Sequence, residues 1–579
     1  MAKPALQKQP SQHADLDAAL TDLERGKTPW ARTTPAERIA ILKDIRDHLM
    51  PVARDWAVTA AKKKLIPDNS PLVGEEWLSG PYCVMTACNA LISTLSGVDG
   101  KTYLQDLPTR QTVSGQTAVT VIPHSIWDRL LLSGIKAEVW MQPGVTPDTL
   151  AQHTASAHDT PTDQRDGKIA LVLGAGNIAA IAPLDAFQKL FTEHQVVILK
   201  MNPVNDYLTE FLNAALKPLI DRDALRIVKG GADVGAYLCD HTKVDQVHIT
   251  GAETSHDIIV WGPGDEGRAN KKAGTPKLNK PITSELGAVC PTIVVPGPWS
   301  AADLRFQGEH IATQKLHNSG FNCVACQMLI LPKTWSGKDG LMENIAAAMK
   351  ESDPRQPYYP GADGRLKDFA SHGDNVLKFD RGAAPACLVV PQTDNSDPWF
   401  RQTEIFAPAF NTYEIDQTDP AAYLEAAIDY ANDQLHGTLG ANVLIHPATI
   451  RAIGKKTFEA LIAKLHYGTI AINAWTGLGF LLVQCPWGAF PGHTLDNVAS
   501  GIGFVHNSFM FDRPERTVVS APFRPFPRNL ASGGMTLLPR PPWFITNRRQ
   551  DKIAELLTQL QYRPSFAKLP RIMLHALLG

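Results

Sequence analysis

The 579-residue sequence contains no run of about 18 apolar residues, so no helix is expected to span a bilayer. Its opening stretch, MAKPALQKQPSQHADLD, lacks the apolar core of a signal peptide. Cysteine is sparse. The eight that occur have none of the regular spacing of a small secreted domain, which argues against a disulfide framework and for a reducing compartment. A cytoplasmic location is the expectation. Charge of one sign is also lacking: 56 Lys and Arg against 58 Asp and Glu leave a net charge of −2, which does not suggest nucleic-acid binding as the main task. Internal repeats and low-complexity segments are absent as well.

What is present reads as an ordinary globular composition, 44% apolar and 20% charged, and the length suggests roughly two to four domains. The balance of charge is uneven along the chain. Residues 521–579 hold nine Lys or Arg against Asp551 and Glu555, a +7 tail on a body of −9.

The pattern predicts helices over about residues 14–95, with a Thr-Pro start at Thr34. AVTVIPHS and IKAEVWMQPG read as strands that pair across a long connection. KIALVLGA, QVVILKMNP and DQVHITGAE then alternate with helical segments, the mark of a parallel α/β sheet. GPGDEGRANKKAGTPKLNKP, at 262–281, reads as a surface excursion. A second α/β pattern runs over about 283–473, with TIVVPG, QMLILP, ACLVVPQ, GANVLIHP and GTIAIN as strands. The tail is rich in Pro and Arg, with short helices around IAELLTQL and FAKLPRIMLHALL.

Chemistry concentrates in HNSGFNCVACQMLIL, where Cys323 and Cys326 stand in Cys-x-x-Cys spacing. A zinc site would want a second such pair, and there is none. A redox pair would want a helix start in a thioredoxin-like unit. Cys323 alone, beside a flexible Asn-Ser-Gly turn, suits a nucleophile that attacks an electrophilic carbon. Both cysteines as plain core residues is the competing reading. His317 reads as a neighbour of the site or as a surface residue.

Several blocks in fixed order give these residues a context. N-x-G-x-x-C at Asn318, Gly320 and Cys323, TSELGAVCPTIVV around Glu285, EIFAP at 404–408, then HGTLGANV, YGTIAIN and PWGAF together resemble the aldehyde dehydrogenase superfamily. The resemblance covers about 168–503 and implies an α/β fold: a Rossmann-type cofactor domain, an α/β catalytic domain and a small oligomerisation hairpin. The corresponding division is 1–116 with 145–284 for the NAD(P)-binding domain and 117–144 with 497–520 for oligomerisation. Residues 285–496 are then the catalytic domain and 521–579 a basic extension.

The same resemblance implies Cys323 as nucleophile and Glu285 as the base that activates water, with Asn177 as an amide donor to the oxyanion. It assigns Lys200, Gly251, Glu404 and Phe406 to the cofactor, NAD or NADP, and no metal. Plainer readings stand beside these: Glu285 as a helix cap, Lys200 as a surface lysine, Glu404 as a loop charge and Phe406 as a core aromatic. Pro203 occupies the place where many NAD-dependent relatives carry an acidic residue for the ribose hydroxyls, so a 2′-phosphate would not be repelled. Asn177 lies in LVLGAGNIAAIAP, where Gly174, Gly176 and Ala179 also match a dinucleotide fingerprint. That fingerprint calls for an acidic residue about twenty positions on, and Lys200 stands there instead.

Three functions follow: an NAD(P)-dependent dehydrogenase that hydrolyses its thioester, a CoA-acylating relative, and a non-catalytic relative of the same fold. The expected partner is a small aldehyde, within a homodimer or homotetramer. Ile553, Leu556, Leu557 and Leu560 sit at helical spacing behind Arg548, Arg549 and Lys552, a pattern that also suits contact with a membrane surface.

Overall fold

The computed structural model describes residues 13–532 and 536–579. Residues 1–12, where no leader was expected, lie outside the described residues. The N-terminal helices form as the pattern requires. Pro35–Lys63 starts at Thr34, whose hydroxyl accepts from the Glu37 amide while Glu37 accepts from the Thr34 amide, a reciprocal cap worth about 1 kcal/mol. Its buried stripe, including Ile41, Leu42, Ile45, Leu49 and Trp56, packs into one core with the strands of a six-stranded sheet.

That sheet has the order Gly501–Ile502, Ile282–Leu286, Gln246–Gly251, Ile169–Leu173, Val196–Lys200, Leu225–Val228, and all pairs but the first are parallel. Its inner strands Ile169–Leu173 and Val196–Lys200 are apolar up to the closing Lys200 because helices cover both faces. The strand Leu225–Val228 was not foreseen. Its Arg226 interrupts the apolar run and is satisfied by Asp22 at 3.0 Å. The proposed division between residues 284 and 285 falls inside the strand Ile282–Leu286, which belongs wholly to this sheet.

A second, eleven-stranded sheet carries the rest. Its parallel centre runs Pro514–Ser520, Thr469–Ile472, Gly440–Leu444, Pro291–Val294, Met328–Pro332, Ala409–Ile415, Ala384–Gln392. The hairpin Thr117–Ile122 with Lys136–Met141 joins this sheet by antiparallel pairing to Pro514–Ser520, so the segments assigned to assembly continue the chain's own sheet. Thr109–Gln111 forms one edge and Leu377–Arg381, antiparallel to Ala384–Gln392, the other.

Two expectations are corrected. Gly264–Ala273 is a helix, not an irregular excursion; only Gly267 on it is buried, so it lacks the apolar stripe that would have marked it. The tail helix Gln550–Tyr562 does not offer its apolar face to a membrane. Ile553, Leu556 and Leu560 are buried, and Asn89 bonds the Gln561 carbonyl at 2.9 Å. The tail's cations are engaged by the body too: Arg524 and Arg528 with Asp303, Arg540 with Glu309 at 3.3 Å, and Arg548 with Glu351 at 3.3 Å. Among the described residues no helix is long and apolar enough to cross a membrane.

Candidate active site

The helix Ala301–Leu316, capped by Ser300, is buried along most of its length and delivers the turn His317–Gly320 into the gap between the two sheets. Asn318 and Ser319 both hold left-handed backbone, φ 53° and 55°, at a cost of roughly 1–2 kcal/mol each for residues with a side chain. Gly320 at φ 81° has Ala407 O only 2.8 Å from where a Cβ would stand. A buried polar cluster holds this turn. Glu75 accepts from the Asn318 amide at 3.0 Å and from Arg355 at 2.7 Å, and Arg355 and Tyr358 reach Asn318 Oδ1 at 3.3 and 3.0 Å. Lys64 and Glu76, 2.8 Å apart, complete the cluster.

Past the turn the two cysteines separate. Cys326 is wholly buried in a core of Ile311, Leu329 and Phe410. Cys323 is half-buried, and its Sγ donates to Glu285 Oε1 at 3.7 Å. Burial first, then the nearby Glu285 and Glu404 charges, push the Cys323 thiol well above its ordinary value.

Glu285 lies on the strand Ile282–Leu286, 2% exposed, with Oε2 buried and unbonded among the described residues. Burial, reinforced by the charge of Asp185, raises its carboxyl to about 8. Glu404 is likewise raised to about 8 by burial and by Glu285, with Lys315 and Arg365 pulling the other way. A Cβ on Gly287 would meet its carboxylate at 2.0 Å, so that glycine is what lets Glu404 lie beside this strand. Phe406, at φ 44°, packs on Phe321 and Tyr359 with ring centroids 5.7 and 5.1 Å away.

Asn177 faces the nucleophile's loop. Its Nδ2 donates to Phe321 O at 3.1 Å, and its own carbonyl accepts from Asn318 Nδ2 and Tyr358 Oη, both at 3.1 Å. One amide hydrogen is therefore spent on the loop and the other remains. The glycines around it do not cradle a phosphate at Gly176, where a Cβ would meet the Asn202 side chain and Tyr359 Oη at 2.7 Å. The fingerprint reading is overturned there by side chains already filling the space.

An apolar pocket of about 590 Å³ opens on Cys323. Its walls include Ile178, Phe480, Trp475, Trp487 and Trp543, with Ser79, His317 and Asn322 as polar members. His317 is thus a neighbour of the site, its ring 5.0 Å from that of Trp475 and kept neutral by burial.

A separate cleft of about 970 Å³ lies along the carboxyl ends of the six-stranded sheet, where open α/β sheets bind ligands. Gly174, Lys200, Asn202, Gly231, Thr250 and Gly251 line it. The Lys200 amine bonds no described residue, and burial lowers its proton affinity. The helices Ala232–Asp240 and Glu253–Trp261 both begin at this cleft, so their free amide groups face it. A Cβ on Gly251 would make only an ordinary contact with Ile249, at 3.7 Å. Free donors, an unpaired cation and bare glycine backbone fit a dinucleotide with its pyrophosphate.

The sequence reading missed Glu75, Arg355, Tyr358 and the three indoles. Glu75 and Arg355 stand 280 positions apart and carry no local signature. Trp543 lies in the extension, beyond every matched block.

Comparison with known proteins agrees with this geometry. The sequence model of the aldehyde dehydrogenase family matches residues 195–363. An aldehyde dehydrogenase of Craterostigma plantagineum is 24% identical over 402 residues, covering 64% of this chain and 72% of that one. A mouse relative described as a dimeric, NADP-preferring aldehyde dehydrogenase is 25% identical over 254 residues, 42% of this chain and 51% of its own. Among solved structures, a Mycobacterium tuberculosis aldehyde dehydrogenase complexed with NAD+ shares the fold at TM-score 0.58 and 17% identity, covering 87% of this chain and 89% of that one. Lactaldehyde dehydrogenase from Escherichia coli does so at 0.58 and 15%, covering 88% and 91%. Fold, ordered blocks and relatives converge: the chain is similar to aldehyde dehydrogenases in sequence over residues 195–363 and in fold over most of its length.

Proposed function

We propose that the chain oxidises an aldehyde to a carboxylic acid with NAD or NADP, through a thioester on Cys323. The observation that carries this reading is the 3.7 Å contact between Cys323 Sγ and Glu285 at the end of the apolar pocket. Glu285 takes the thiol proton as sulfur bonds the aldehyde carbon, and the second amide hydrogen of Asn177 serves the resulting oxyanion. A nicotinamide, when bound, supplies the acceptor for the hydride that leaves this carbon. Lys200, the glycine-lined wall and the two helix starts hold the dinucleotide, and Glu404 and Phe406 flank its reacting end. Loss of hydride leaves the thioester. Glu285, once it has released the thiol's proton to solvent, draws a proton from water as the hydroxyl bonds the thioester carbon; the carbon–sulfur bond breaks to free the acid, and that proton passes to the sulfur to restore the thiol.

The presence of Glu285 beside the thiol favours hydrolysis over transfer to CoA. Proline at position 203 and Asn202 put no carboxylate just past the strand Val196–Lys200, and Asp240 is the acidic residue lining the cleft; this accommodates either cofactor. Assembly as a dimer or tetramer would use the edge strand Thr109–Gln111, because the late strand Pro514–Ser520 already pairs within the chain.

The test follows reduced nicotinamide by absorbance with an aldehyde panel, each cofactor, and CoA present or absent. Turnover without CoA that vanishes in Cys323→Ala is the expected result. Turnover only with CoA would transfer the assignment to the acylating class.

A further inference from the structure

The apolar pocket at Cys323 ends against a wall contributed by the C-terminal extension. Trp543, 9% exposed, closes it together with Leu478, and both side chains also line a second cavity of about 480 Å³ on their far side. That cavity lies beneath the extension, between Phe306, Leu538 and Phe544. Trp543 and Leu478 are therefore a partition between two apolar spaces, of which only the first reaches the thiol.

The partition is held firmly. Phe544, next in the chain, packs on Phe306 and His310 with ring centroids 5.4 Å away. Ile545 N donates to Thr313 Oγ1 at 3.2 Å, and Thr546 Oγ1 donates to Glu309 at 3.2 Å. Thr313 and Glu309 belong to the helix Ala301–Leu316 that delivers Cys323. Trp543 is thus fixed relative to the nucleophile by the nucleophile's own helix.

We infer that Trp543 sets the length of the substrate, and that the substrate class is an aryl aldehyde: a ring that fills the space between Cys323 and the Trp543 partition, faced by Trp475, Trp487 and Phe480. Flat faces of indole and phenyl groups stack on an aryl ring in offset or edge-on geometry, and few polar groups line this space to solvate a hydrophilic substrate. Removing the partition joins the two cavities and admits a substrate one ring longer. The inference rests on the proposed dehydrogenase activity for its kinetic arm and is independent of it for its binding arm.

The experiment uses the full chain and its Trp543→Ala and Trp543→Phe variants. The kinetic arm compares kcat/KM for propanal, benzaldehyde and 4-biphenylcarboxaldehyde. Wild type is expected to prefer benzaldehyde to both. Trp543→Ala should raise the biphenyl-to-phenyl ratio about tenfold or more, the scale on which pocket volume discriminates apolar groups, with Trp543→Phe between. The binding arm titrates benzyl alcohol and 4-biphenylmethanol calorimetrically into Cys323→Ala, with and without Trp543→Ala, and should show the same shift in Kd ratio without any turnover.

A ratio unchanged or lowered in Trp543→Ala, or a wild type preferring propanal, overturns the inference and leaves the dehydrogenase reading intact. Size-dependent binding that follows Trp543 in a protein oxidising no aldehyde keeps the partition and ends the dehydrogenase reading. If Trp543→Ala does not fold, Trp543→Phe carries both arms, with the direction of the ratio as the deciding observation.

Discussion

The cleft beside Lys200 is walled by bare glycine backbone and helix starts borne on neighbouring strands of one sheet, whereas the pocket beside Cys323 is walled by large side chains gathered from segments hundreds of residues apart. The first needs little from side chains, because amide groups at strand and helix ends already supply what a phosphate requires. The second has no backbone device to draw on, so its shape depends on which indole reaches it from where. A cofactor common to many enzymes and a substrate particular to one thus call for different construction. The thiol and Glu285 stand where the two regions meet, and substitutions can separate what belongs to each side from what belongs to both.

The junction should be most sensitive. Glu285→Gln is expected to slow steady turnover by about 10²–10⁴, the usual yield of a positioned base, while a first burst of reduced cofactor persists if hydrolysis is the step lost. With a carboxyl at about 8, wild-type turnover limited by that base should rise close to tenfold per pH unit below that value and level off above it. The same shift has a consequence for stability. A carboxyl raised in the folded state contributes stability that is complete below its unfolded value near 4.5 and lost as pH rises through about 8. Thermal unfolding at pH 9 should therefore show Glu285→Gln gaining on wild type relative to pH 6. A variant that is slow and has no burst has lost the thiol's deprotonation, the earlier of the two steps given to Glu285, and an unchanged relative stability between these pH values would remove the raised carboxyl.

Legibility in the sequence followed the same division. Strands such as Ile169–Leu173 and Val196–Lys200 announced themselves as apolar runs, because burial on both faces leaves no polar position before the strand end, where Lys200 stands. Cys323 and Glu285 could be placed together because each sits in a local block whose order is recognisable. Gly264–Ala273 could not be seen as a helix, since periodicity is a signal of burial and this helix has almost none. The fingerprint at Gly174 and Gly176, already without its acidic partner in the sequence, divides in the structure: Gly174 lines the cleft, while Gly176 serves close approach by Asn202 and Tyr359, and packing glycines look like phosphate glycines in one dimension.

The Glu75–Arg355 pair escaped because a buried ion pair leaves no trace in either neighbourhood. Arg355→Met should cost about 3–5 kcal/mol, since it strands Glu75 at 1% exposure without its cation, while Glu76 keeps Lys64 at 2.8 Å. Denaturant unfolding measures that loss. Because Glu75 also holds the Asn318 amide, the conservative Arg355→Lys should recover more of the stability than of kcat: an ammonium restores the charge but not the fork that spans Glu75 and Asn318. Equal recovery of both would make the pair a matter of stability alone.

Lys200→Met is the smallest of these effects and the one that isolates the cleft. Its amine makes no hydrogen bond to a described residue and feels Asp233 only at a distance, so removing it should change the unfolding midpoint little. What it loses is a charge-assisted hydrogen bond to the dinucleotide, worth about 1.5–3 kcal/mol, which corresponds to roughly a ten- to hundredfold rise in the KM for the cofactor. The KM for the aldehyde and the benzaldehyde-to-propanal preference should not move, because no residue of the cleft lines the apolar pocket. Movement of the aldehyde preference in Lys200→Met would mean that the two regions are coupled through the thiol rather than merely adjoining it.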